Sequence, residues 1–147
     1  MKIPEIEISI KFKGALKSEL RKIKTSTDVM QVVRLLFDAN TIDWVEEVVM
    51  LCLNNDNKVI GYYRVSSGGM TVSCFDIRVM ATVALTSLAT SVIVAHNHPS
   101  GSKTPSQSDI NMSKRLKDGL ALLDIKLTDS LIITDESYTS LMDEGYL

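Results

Sequence analysis

The sequence predicts an α/β fold in which helices pack against a mixed β-sheet. Three observations predict it. Residues 45–53 (VEEVVMLCL) and 59–65 read as two strands around the turn Asn54–Asn55–Asp56–Asn57, hence as an antiparallel hairpin. Residues 91–96 (SVIVAH) form a short β-branched apolar run, the pattern of a strand buried on both faces. Helical spacings of apolar residues alternate with these strands through the second half of the chain.

Each element has its own signal. Ile6, Ile8, Ile10 and Phe12 alternate with polar residues, the period of a half-buried strand. Gly14 to Lys24 is a charged connection. Thr25, Ser26 and Asp28 supply helix-start chemistry, and Val29, Val32, Val33, Leu36 and Phe37 follow at helical spacing. A helix is expected over 26–39. Trp44 reads as the anchor of the strand 45–53, or as a binding residue. Ser66 to Gly69 break the second hairpin strand, Gly68 and Gly69 permitting a tight turn, and Met70–Cys74 suggests another short strand. Asp76 can cap a middle helix with Ile77, Met80, Ala84 and Leu88 on one face and Val83 beside them. Pro99 and Gly101 close the strand 91–96. Thr104 is the expected N-cap of the next helix, with Pro105 at its first position and Gln107 closing a capping box. That helix runs to about Leu123, with Met112, Leu116, Leu120 and Leu123 as its apolar stripe. Residues 127–133 give a last strand, and 138–147 a short helical or turn-like end.

The 147 residues have room for one sizeable core, read as an N-terminal strand and basic connection (1–24) and one globular unit (25–147). With 45% hydrophobic and 23% charged residues, the composition is that of a folded soluble domain rather than a disordered chain. No apolar run reaches the ~18–20 residues that span a membrane. The alternating N-terminus does not read as a signal peptide, so the cytoplasm is the expected compartment. A net charge of −2 argues against a dedicated nucleic-acid surface. Residues 1–24 depart from that balance at +4, which leaves −6 for the remainder. This segment reads as a solvated face, with contact to phosphate or an acidic partner as the alternative. Cys52 and Cys74 form no CxxC pair and are expected to be buried thiols.

The chemistry concentrates in residues 95–109, AHNHPSGSKTPSQSD. His96 and His98 stand two apart at a strand end, so both imidazoles project the same way. Pro99 then turns the chain and keeps the site at the sheet edge. Asp109 precedes Met112 and Leu116 on the core-facing stripe of the following helix, where a carboxylate is costly unless paired or bound to metal. Ser106 shares that face. Two imidazoles and a carboxylate form a plausible zinc set with a fourth position for water, although other divalent ions suit the same ligands. A proton acceptor is then needed, and Glu46 or Glu47 at the mouth of the strand 45–53 can serve; successive strand residues face opposite ways, so only one points inward. Ser106 would donate a hydrogen bond to the oxyanion. The letters H-N-H also invite a metal-dependent nuclease reading, which the mild acidity disfavours. A deaminase would need an H-x-E and a P-C-x-x-C, which are absent.

His96, His98, Ser106 and Asp109 match, without a gap, the H-x-H, seven residues, Ser, two residues, Asp motif of the JAMM (JAB/MPN) metalloproteins. The longer string HNHPSG…TPSQSD resembles the RadC branch, and the resemblance runs from about residue 25 to the end. It implies a three-layer α-β-α, cytidine-deaminase-like fold and a zinc-dependent hydrolase site. Characterised members of the wider family include isopeptidases, so a peptide or protein substrate is implied. His96, His98 and Asp109 would be ligands, Ser106 the oxyanion support and an upstream glutamate the base; aligning the strand through Leu53 and Asn54 favours Glu46. Three departures stand out. The helix-hairpin-helix region typical of RadC proteins does not fit in this length, which weakens a DNA role. A usual Pro-Arg-Glu reads Ile77-Arg78-Val79, and a usual Asp-His reads Asp129-Ser130. A non-catalytic, DNA-repair-associated or protein-binding module is the alternative reading.

Overall fold

The computed structural model describes residues 3–14, 20–67 and 76–147. The expected strand at Met70–Cys74, the Gly68–Gly69 turn and the thiol of Cys74 lie outside the described residues. Along the chain run α1 (Ser26–Val33), β1 (Glu47–Leu53), β2 (Val59–Ser67), α2 (Ile77–Thr86), β3 (Ser91–Asn97), α3 (Gln107–Ala121), β4 (Lys126–Ile133) and β5 (Tyr138–Ser140). The strands form one mixed sheet in the order β2-β1-β3-β4-β5. Only β3 and β4 pair in parallel; the hairpin β1–β2 and the pairs β1–β3 and β4–β5 are antiparallel.

Helices cover both sheet faces, as the alternation of apolar side chains along the strands requires. Val49, Leu51, Leu53, Ile93, Ala95, Leu131 and Ile133 point to one face, where they meet Val29, Met30 and Val33 of α1 together with Phe37 and Ile42. Val48, Met50, Cys52, Val92, Val94 and Leu127 point to the other, against Met80 and Ala84 of α2 and Leu116 and Leu120 of α3. All seven residues of β3 are buried, which explains its unbroken apolar run. The expected three-layer α/β architecture is therefore present.

Local chemistry sets the boundaries. Asn54 holds the hairpin turn, its Oδ1 accepting from the backbone N–H of Asp56 and of Lys58. Helix α1 opens with a capping box between Thr25 and Asp28. It stops at Val33, not 39, because Leu35 and Leu36 donate to the carbonyls three residues back and tighten the chain into turns. β1 begins at Glu47, and Trp44 before it is exposed, so the indole anchors nothing. β2 continues through Ser66 to Ser67 instead of breaking there. Leu88 leaves the α2 stripe: it has φ 56° beyond the helix end, and the next N–H, of Ala89, reaches back to the carbonyl of Ala84 at 2.9 Å.

Three further expectations are corrected. The segment with Ile6, Ile8, Ile10 and Phe12 forms no strand; these side chains are exposed and residues 3–14 join no ladder among the described residues. Residues 21–23 meet the start of β2 instead, through a Lys22–Lys58 bridge and bonds from Val59 N–H to Arg21 and from Ile23 N–H to Asn57. The cap of α3 is Ser106, closed by Asp109, rather than Thr104 closed by Gln107. Its buried stripe is Asp109, Ser113, Leu116 and Leu120; Met112 lies to one side and Leu123, past the helix end, is exposed. The chain end is a short strand, β5, followed by turns, because Asp129 accepts from the Ser140 hydroxyl at 2.7 Å and from the Met142 N–H.

Candidate metal centre

Antiparallel pairing of Val48 with His96 fixes which face the histidines share. Val48 belongs to the α3 side of the sheet, so His96 projects towards α3 as well. His98, two residues on, repeats that direction just past the strand end. Helix α3 begins below them, and its first turn carries Asp109.

The side chains converge on one point. His96 Nε2 lies 3.0 Å from His98 Nε2, 3.3 Å separates His96 Nε2 from Asp109 Oδ1, and 3.4 Å separates His98 Nε2 from Asp109 Oδ2. Ligands ~2.0–2.1 Å from a tetrahedral zinc ion stand ~3.3 Å from one another. The three residues therefore form a group able to hold a metal ion, with His96 almost fully buried, Asp109 buried at the helix start and His98 the most open of the three.

Neighbours orient His98 and Asp109. The Ser102 carbonyl can only accept, so the 2.8 Å contact from His98 Nδ1 places a proton on that nitrogen and turns Nε2 to the centre. Ser102 carries no motif signal and escapes sequence reading. Asp109 Oδ2 accepts from the Ser106 hydroxyl at 2.6 Å and the Ser106 N–H at 2.7 Å, while the Asp109 N–H donates to the Ser106 hydroxyl. Ser106 thus orients the carboxylate as it caps the helix. Burial pushes the Asp109 carboxyl up, but bonds from His96, His98 and Ser106 and the charge of His96 outweigh it; the net pKa falls far below the usual carboxylate range. His98 is shifted up, chiefly by its bond to Asp109 against the opposing effect of burial. The Ser102 carbonyl and the charges of Asp109 and Glu46 add to the rise.

The two glutamates differ in surroundings. Glu47 meets Arg64 Nη1 of β2 at 3.5 Å. Continuing the Val48–His96 register outward by two residues sets Glu46 opposite His98, in keeping with its charge acting on that imidazole. Asn97, between the histidines, is fully buried and bonds to the backbone of residues 42–47. Ser130, where the resemblance leads one to expect histidine, is buried and accepts a 2.9 Å bond from Ser113 of α3.

A layered α/β domain with a His-His-Asp group at a strand end and a helix start defines the class of JAB-type metal-site proteins. The profile of the RadC-like JAB domain matches residues 23–146, and the chain belongs to that family. It is 39% identical over 127 residues to a UPF0758 protein of Flavobacterium johnsoniae, covering 86% of this chain and 54% of the relative. A UPF0758 protein of Clostridium perfringens is 36% identical over 130 residues, 88% of this chain and 57% of its own length. The chain thus spans little more than half the length of these relatives.

Proposed function

We propose that this chain is a zinc-dependent hydrolase that cleaves an amide bond, in a peptide or an isopeptide. The observation that carries the reading is the convergence of His96, His98 and Asp109 within 3.0–3.4 Å. His96, His98 and Asp109 would hold a divalent ion, which would supply Lewis acidity towards water and a carbonyl oxygen. Glu46, opposite His98, takes the proton from the attacking water and passes it to the leaving amine. The pairing of Glu47 with Arg64 supports assigning this task to Glu46. We assign the Ser106 hydroxyl, at the positive end of α3, to the developing oxyanion; its one proton, held by Asp109 Oδ2 at 2.6 Å, has to turn from the carboxylate to the oxyanion for that step. The buried thiol of Cys52 suits a reducing cytoplasm.

The test uses the zinc-loaded protein and peptide and isopeptide substrates, with amine release as the readout. Glu46→Gln is expected to keep its zinc and lose ~10²–10⁴-fold in turnover. Equal turnover in that variant, or turnover that survives stripping of the metal, overturns the reading. Zinc held by an inert wild type points to a binding module instead.

A further inference from the structure

The side chain of Asn97 alternates with the histidines on either side of it and lies on the opposite sheet face. Its amide spends its bonds on a single short segment. Nδ2 donates to the carbonyl of Ile42 at 2.6 Å and to that of Val45 at 2.8 Å, and Oδ1 accepts from the N–H of Glu47 at 2.7 Å. The residue has 0% exposure, so none of these bonds is readily replaced by water.

That segment leads into β1. It is folded by bonds from Thr41 and Ile42 N–H to the Asp38 carbonyl and from Val45 N–H to the Thr41 carbonyl. The backbone atoms that Asn97 holds at Val45 and Glu47 bracket Glu46. Both ends of the peptide stretch carrying Glu46 are therefore fixed to the strand that carries the histidines.

We propose that Asn97 is a positioning residue: it holds Glu46 at the metal centre without touching the centre itself. The inference rests on the assignment of Glu46 as proton carrier. Asparagine alone among side chains of its size offers two donors and an acceptor in this arrangement; aspartate loses the donors, and leucine loses all three bonds. Misplacing a reacting group by ~1 Å can cost ~10²-fold in rate, so a fixed backbone on both sides of Glu46 matters.

The test compares the full chain with Asn97→Ala, Glu46→Gln and the double variant, each loaded with zinc or with cobalt(II). Asn97→Ala is expected to bind zinc within a few-fold of wild type, since a residue that orients a ligand costs ~10–100-fold. Backbone amides of residues 45–47 should exchange with solvent ~10-fold faster or more, while those of β3 keep their rates. The visible bands of the cobalt protein should move as they do in Glu46→Gln, and the double variant should add nothing further. Unchanged exchange at 45–47, a zinc loss of ~100-fold, or wild-type cobalt bands in Asn97→Ala overturns the proposal. If that variant fails to fold, exchange in the wild type decides: the Glu47 amide must be as protected as Val49 within β1, and fast exchange there overturns the anchor. If exchange quickens but Glu46→Gln turns over like wild type, the Glu46 assignment is at fault and the backbone anchor stands.

Discussion

Asp109 and Asp129 are both buried carboxylates, and their surroundings drive them in opposite directions. At Asp109 the hydrogen bonds of the metal group outweigh burial. At Asp129 burial dominates, despite bonds from the Ser140 hydroxyl and from the N–H groups of Met142 and Ser130, and the charge of Asp143 adds to it; the pKa is raised. The folded state therefore favours protonated Asp129. Its contribution to stability is fully present below the ordinary carboxylate pKa of ~4 and is lost as pH rises through the raised folded value. Asp129→Asn keeps an oxygen for the two N–H groups and cannot ionise. Denaturant midpoints measured from acid to neutral pH should show the variant gaining on the wild type as pH rises. A difference that runs the other way contradicts the raised pKa.

Helix α3 joins the core to the site: Asp109, Ser113, Leu116 and Leu120 lie on one stripe, with the apolar residues seating the helix and Asp109 at its start, held separately by Ser106. Leu116 is fully buried among Met50, Val94 and Met80. Leu116→Ala should destabilise the fold by ~2–5 kcal/mol through lost burial and a residual cavity. At the same time it should leave zinc affinity in the folded protein within a few-fold, a pair of readouts from chemical denaturation and zinc titration. Periodicity alone could place this helix but not its start, because Thr104 and Ser106 both carry cap chemistry; only the reach of Asp109 back to Ser106 decides. Leu88 and Leu123 continue their helical spacings past the last helical turn, and apolarity gives no sign that the backbone has already turned away. The N-terminal alternation is a property of side chains, whereas a strand needs a backbone partner. Residues 21–23 take the start of the β2 edge.

At the scale of the molecule, β3 lies between β1 and β4 with every residue buried, and the histidines emerge at its carboxyl end. Ligand sites of α/β sheets tend to form at such strand ends. The metal group was legible in the sequence because all its members fall within fourteen residues, His96 to Asp109. Glu46 was favoured over Glu47 by the resemblance alone, and the β1–β3 register sets it opposite His98; the anchoring of its backbone by Asn97 needed coordinates, since contacts across fifty residues leave no local pattern. A site shared between a strand and a separate helix couples ion binding to folding, because the unfolded chain does not hold the ligands together. Zinc at ~100 times its dissociation constant should stabilise the fold by ~2.7 kcal/mol, which for a domain of this size raises Tm by on the order of 8 °C. Scanning calorimetry with zinc and with chelator measures the gain, and Asp109→Ala should abolish it. A melting temperature indifferent to zinc in the wild type would mean that the three side chains converge without holding an ion.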